Sequence, residues 1–212
     1  MRVCIDVWSD YVCPFCYLAE PGLHRLKEEL AQQVEIMWRA FELRPEPIPT
    51  LDPAGEYLRD IWARAVYPMA ERRGMTLRLP PLQPRSRLAL AAAEFARERG
   101  KFDEMNRAIF EAFFARGEDI GEIEILLQLA TISGLDAKEL QHELERGDFH
   151  SRVLADEQLA HQLGITGVPA MLLRKKGEPL EASVELTGAQ PYEVLRSAVD
   201  KLLAGGEITR DD

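Results

Sequence analysis

Two cysteines three residues apart, in Cys13-Pro14-Phe15-Cys16, stand where a strand-like run gives way to a helix-like run. Val3 to Trp8 alternates Val3, Ile5 and Val7 with Cys4, Asp6 and Trp8, the period-two pattern of a short strand. After the pair, Leu18, Leu23, Leu26 and Leu30 form an apolar stripe that reaches Ala31. Pro14 falls in the first turn of this helix, where a missing N–H costs nothing. The chain must therefore fold so that a strand delivers two thiols into the N-terminus of a helix. Such a pair is a redox centre or half of a metal site.

The rest of the chain limits the scaffold. Pro21 should bend the first helix. Val34 to Leu43 reads as a second strand, with Val34, Ile36 and Trp38 on one face, followed by Phe41 and Leu43. The proline-rich run Arg44 to Pro53 leaves it. From Ala54 to Leu163 the period is helical almost throughout. Tyr57 to Met69 predicts a helix that Pro68 bends or ends, and Gly100, Gly117, Gly134 and Gly164 stop later ones. Asp136 with Glu139 has the pattern of a capping box. Strand character returns at Ala170 to Leu173 and Ala182 to Leu186, and Tyr192 to Leu203 is a closing helix.

The order is strand, helix, strand, a helical block, then strand, strand, helix. The outer parts are the two halves of a thioredoxin-like sheet, and the block between them is far too long for a loop. The expected class is α/β, a thioredoxin-like fold with a large all-helical insertion domain. Its divisions are 1–52 and 164–204 for the two halves, 53–163 for the insertion, and 205–212 for a frayed tail. A chain of 212 residues, 46% of them hydrophobic, can bury a core of that size.

Net charge and cysteine usage narrow the function. A formal charge of −10 disfavours nucleic acid and anionic membranes as partners. No apolar run is long enough to span a bilayer, and the first residues lack a cleavable signal pattern, so a cytoplasmic location is expected. In that compartment a close pair of thiols is more often catalytic or metal-binding than a structural disulfide. A zinc site needs four ligands, and His24, His142, His150 and His161 are scattered, so no metal is expected.

Exchange chemistry needs a thiolate. Cys13 falls at the helix start, where free N–H groups and the positive dipole end stabilise an anion, and so is the candidate nucleophile. Cys16, one turn on, is the candidate resolving thiol, with both sulfurs on one face. Pro14 and Phe15 flank them as candidate substrate contacts. Gly164-Ile165-Thr166-Gly167-Val168-Pro169 supplies a second element. A cis bond at Pro169 would turn the Val168 backbone toward a peptide-like substrate.

These motifs resemble a known family. Ser9-Asp10-Tyr11-Val12-Cys13-Pro14-Phe15-Cys16-Tyr17 is similar to the active-site signature of DsbA-like thioredoxin-fold proteins, specifically the cytoplasmic FrnE-like branch. Trp38 to Pro45 resembles that branch's second strand, Asp156 to Pro169 its run into a cis-proline, and Gly188 to Pro191 its entry to the last helix. The resemblance spans nearly the whole chain. It implies thiol–disulfide oxidoreductase activity, with Cys13 as nucleophile, Cys16 as resolver and Val168-Pro169 facing the substrate. The implied partners are disulfide- or thiol-containing proteins or small molecules. No cofactor is implied beyond the cysteine pair, with glutathione as a candidate electron partner. Phe15 stands where many relatives have tryptophan, and Arg85 to Leu90 replaces an Asn-Thr…Ala-His pattern. The alternative on the same fold is a glutathione-dependent isomerase or kappa-type glutathione transferase, in which Cys16 would be dispensable.

The remaining residues have blander readings. Cys4 reads as an inert apolar residue of a central strand. Asp10 reads as a turn residue, and Glu42 is left outside the catalytic set. Arg72, Arg73, Arg78, Arg85 and Arg87 read as solvated faces, with a contact to a glutathione carboxylate as the runner-up. Phe102, Phe110, Phe113 and Phe114 read as the core of the helical block.

Overall fold

The computed structural model describes residues 2–206. A mixed sheet of four strands is built on β1 (Val3–Ser9), which lies beside β2 (Val34–Ala40) in parallel and beside β3 (Ala170–Lys175) in antiparallel register. Strand β4 (Val184–Thr187) pairs antiparallel with β3, giving the order β2-β1-β3-β4. Helix α1 (Pro14–Glu29) makes the crossover from β1 to β2 and runs unbroken through Pro21. Helix α9 (Tyr192–Leu203) closes the described chain. Both cover one face of the sheet, where Val3, Ile5 and Val7 meet Leu23, Leu26, Leu195 and Val199 in a buried cluster. The alternation read from the sequence makes that face apolar.

The opposite face is covered by α8 (His150–Gln162), which packs Ala160 against Trp8, Phe41 and Leu172. Between β2 and α8 stand α2 (Glu56–Ile61), α3 (Tyr67–Arg72), α4 (Arg87–Glu98), α5 (Phe102–Glu111), α6 (Ile123–Ile132) and α7 (Ala137–Arg146). Pro68 neither ends nor sharply breaks its helix. A π-turn at Trp62–Val66 precedes it, in which the Tyr67 N–H reaches the Trp62 carbonyl. The wider turn shifts the ladder where proline offers no donor. Gly100, Gly117, Gly134 and Gly164 all have left-handed φ, as the helix stops require. The Asp136 carboxylate caps α7 by accepting from the N–H groups of Lys138 and Glu139.

Three boundaries differ from expectation. Strand β2 ends at Ala40, and Phe41 adds one further bond by donating its N–H to the Ser9 carbonyl. The next N–H groups turn to carboxylates instead: Glu42 donates to Glu157 and Leu43 to Asp10. Strand β3 extends to Lys175, and Leu180–Ala182 is a 3₁₀ turn, so β4 begins only at Val184. The expected frayed tail lies, from position 207 onward, outside the described residues.

The core of the helical block does not stop at the block. Trp62, Phe95, Phe110, Phe113, Phe114 and Leu126 share one buried cluster with Tyr11, Cys13, Cys16 and Leu18. Each fully buried aromatic or Leu side chain contributes about 1.5–3 kcal/mol. The cysteine pair therefore sits inside the largest apolar cluster, at the seam between sheet and helices.

Candidate active site

Cys13 is the N-cap residue of α1, with φ −92° and ψ 112°, and Pro14 opens the helix. The chain reaches this turn through Asp10, whose carbonyl accepts from Cys13 N–H at 3.1 Å. The Cys13 carbonyl in turn accepts from the N–H groups of Cys16 (3.1 Å) and Tyr17 (3.3 Å). The first turn is locked, and both thiols are free. Cys13 is 3% exposed and Cys16 is fully buried.

The two sulfurs have different surroundings. The Cys13 thiol donates to the Val168 carbonyl at 3.5 Å. The Val168–Pro169 bond is cis, and the Pro169 carbonyl accepts from Gly188 N–H at 2.8 Å, which seats the loop before α9 against the site. Burial pushes the Cys16 thiol well above its ordinary range, and its hydrogen bond with Cys13 adds to this. The Ser9 hydroxyl and the Asp10 backbone oppose the shift, since both hydrogen-bond the sulfur and favour its anion. Pro14, Phe15 and Val168, expected as substrate contacts, are half-buried, and Pro169 is buried. Val12, Phe15, Tyr17, Leu79, Leu82 and Val168 surround the cluster that holds the cysteines and give its rim an apolar character.

The helical block grips the active-site turn through aromatics. Tyr17 stacks between Phe110 (5.4 Å) and Phe114 (5.5 Å), and Tyr11 meets Phe110 edge-on at 4.8 Å. The Tyr11 hydroxyl donates to Asn106 Oδ1 at 3.0 Å. The aromatic stripe of α5 is thus a core, and part of that core is the wall behind the cysteines.

Behind the turn lies a buried carboxyl network that sequence reasoning missed. Asp10 is fully buried and accepts from Leu43 N–H (2.7 Å) and Val12 N–H (3.3 Å). Burial raises its carboxyl to about 6, although the bonds from Leu43, Ser86 and Val12 oppose the rise. Glu42 pairs with Arg87 and lies against Glu157, whose carboxyl burial raises to about 7, with the Glu42 charge adding to it. The carboxylate of Asp10 was legible only as a turn residue. Glu157 carries no signal at all, because its partner is far away in the chain.

Several blander readings need correction. Arg85 and Arg87 are half-buried and engaged: Arg85 donates to the carbonyls of Arg44 and Ile48, and Arg87 pairs with buried Glu42. Arg73 is pinned to the carbonyls of Leu18, Ala189 and Gln190. Cys4 is half-buried rather than fully buried, in register with the charged Arg174 and Glu35 on the neighbouring strands. What burial it has still pushes its thiol up. Among the described residues no group of three or more His, Cys, Asp or Glu side chains is placed to hold a metal ion, and no helix is long and apolar enough to cross a membrane.

Comparison with known proteins puts this site in context. Residues 4–200 match the DSBA-like thioredoxin domain family. An uncharacterised protein of Bacillus subtilis, YwbO, is 35% identical over 179 residues, which cover 82% of this chain and 88% of that protein. Among solved structures, a probable DsbA oxidoreductase of Streptomyces coelicolor aligns with a TM-score of 0.80 at 26% identity, covering 99% of this chain and 93% of that one. The cytosolic disulfide reductase DsbM of Pseudomonas aeruginosa aligns with a TM-score of 0.73 at 20% identity, covering 96% and 100%. A 2-hydroxychromene-2-carboxylate isomerase has a TM-score of 0.78 at 18% identity, covering 95% and 97%. The last two likenesses are of fold.

Proposed function

The chain belongs to the DSBA-like thioredoxin domain family, and we propose that it exchanges disulfides through Cys13 and Cys16. The observation that carries this reading is the asymmetry of the pair. Cys13 caps α1 beside the Val168 carbonyl, whereas Cys16 is sealed behind it with a raised thiol pKa.

In the reductive direction the Cys13 thiolate attacks one sulfur of a substrate disulfide. The S–S bond breaks, the leaving thiolate takes up a proton, and a mixed disulfide forms on Cys13. Cys16 then gives up its proton and attacks the Cys13 sulfur. The second substrate thiol leaves, and Cys13 and Cys16 remain as a disulfide, two electrons having passed to the substrate. Burial keeps Cys16 protonated until the adduct forms, which separates the two steps. Val12, Phe15 and Val168 receive the apolar surroundings of the substrate disulfide, and the backbone at Val168-Pro169 faces its peptide chain. Two molecules of a thiol such as glutathione return the electrons and leave joined as their own disulfide. A DsbM structure with glutathione shares the fold, and a cytoplasmic setting of the FrnE-like branch fits the reductive direction.

The test is disulfide reduction of a small disulfide-bonded protein with a thiol donor. Cys13→Ser abolishes turnover, and Cys16→Ser accumulates mixed disulfide. Glutathione-dependent turnover of a small electrophile that is undiminished in Cys16→Ser would instead favour the isomerase or kappa-type transferase reading.

A further inference from the structure

A groove of about 600 Å³ lies along α1, beside the Ala189 loop that the Gly188 N–H anchors to the Pro169 carbonyl. Its upper end is formed by Leu18 and by Ala189, both packed on the cluster that contains Cys13 and Cys16. Its floor passes Gly22, and its outer wall is Met69, Arg72 and Arg73 at the end of α3. At 1.5 Å per helical residue, Gly22 lies roughly 13 Å along α1 from Cys13. An extended peptide covers that distance in about four residues.

The charge in this groove is unlike that of the molecule, which carries −10 overall. Arg73 is half-buried, and its guanidinium is spent on the carbonyls of Leu18, Ala189 and Gln190, which brace the groove without neutralising it. Arg72 is exposed at the lip, and among the described residues no carboxylate lies within ion-pairing distance of it. At the far end, Arg25 is already engaged by Glu29 at 2.7 Å and stacked on Tyr192, and Glu193 supplies the one carboxylate of the lining. The positive charge still open to a ligand is therefore concentrated at Arg72, with the braced cation of Arg73 behind it.

Building on the dithiol-exchange reading, we propose that this groove holds an extended segment of a protein substrate and selects an acidic side chain three to four residues from the cysteine captured by Cys13. The backbone of the segment passes Val168 and Ala189, and its carboxylate meets Arg72. A tripeptide thiol carries its carboxylates too close to the sulfur to reach that lip.

The experiment uses disulfide-linked peptides that differ only at the fourth residue from the cysteine, Glu, Gln or Lys, with kcat/KM measured for each. For the wild type, Glu is preferred over Gln by about fivefold at low salt, the scale of one exposed charge pair, and the preference shrinks as salt rises. In Arg72→Gln the Glu-to-Gln ratio falls to one, and in Arg72→Glu the preference passes to Lys. A wild type that reduces all three peptides equally overturns the inference while leaving the exchange mechanism standing. So does an Arg72→Gln variant that keeps the wild-type ratio. A wild type that reduces none of them, nor any other disulfide, refutes the exchange reading itself.

Discussion

At the scale of single residues, the proposed exchange places the cost of its second half-reaction on Cys16. Its sulfur must ionise in full burial, and the groups that assist it are the Ser9 hydroxyl and the Asp10 backbone. A hydrogen bond to a charged group contributes about 1.5–3 kcal/mol, so Ser9→Ala should slow the attack of Cys16 on a mixed disulfide by at least tenfold. The pH at which that step reaches half its maximal rate should also move upward. Stopped-flow release of a thiol from a preformed Cys13 adduct measures both. An unchanged profile would mean that Ser9 does not stabilise the Cys16 anion. Cys13 and Cys16 were legible from sequence because their spacing and junction are local. Ser9 was not, because its role depends on where the hydroxyl points once β1 has paired with β2.

At the scale of elements, the end of β2 is held by acids from elsewhere. Ala40 N–H donates to Asp156 at 3.1 Å, Glu42 N–H to Glu157 at 3.0 Å and Leu43 N–H to Asp10 at 2.7 Å. These bonds satisfy backbone donors at and just beyond the end of β2. They also tie α8 and the active-site turn to one strand end. The periodicity of Val34 to Leu43 favours a longer strand, and it fails after Phe41 because side-chain carboxylates from α8 and from the turn after β1 outcompete a ladder there. Two of the three acids titrate high, Asp10 at about 6 and Glu157 at about 7, against ordinary values of 3.8 and 4.5. An acid whose folded pKa is raised holds its proton more tightly in the native state. Its contribution is complete below the unfolded pKa and is lost as pH climbs through the folded one. These two groups should therefore lower stability steadily between about pH 4 and pH 7, with Arg87 and Glu42 as the charges that face Glu157. Glu157→Gln should flatten the slope between pH 5 and 7.5, read as urea midpoints across that range. A slope as steep as wild type would remove Glu157 from the account.

At the scale of the whole molecule, the sheet and the helical block share one core. Tyr17 lies between Phe110 and Phe114, while Tyr11, Cys16 and Leu18 belong to the same cluster as Trp62 and Phe95. Phe110→Ala removes the ring that touches Tyr11, Tyr17 and Phe114, at a cost of about 3–5 kcal/mol. Both wild type and variant should unfold in one transition, with far-ultraviolet circular dichroism and tryptophan fluorescence coincident. Two separated transitions would show that the helical block folds on its own. The order of elements and the helical nature of the block were readable, since both rest on periodicity. The shared core was not, because amphipathic faces say that a helix is buried on one side but not against what. Arg87 shows the same limit: as sequence it is one basic residue at a helix start, and only the fold sets it on Glu42.

The central claim is that Cys13 attacks and Cys16 resolves. Mass mapping of covalent adducts after a single turnover with a disulfide-bonded protein tests it most directly. The account predicts a substrate disulfide on Cys13 that persists in Cys16→Ser and decays in the wild type to an internal Cys13–Cys16 disulfide. An adduct on Cys16 or Cys4 with Cys13 unmodified, or undiminished turnover by Cys13→Ser, would contradict it.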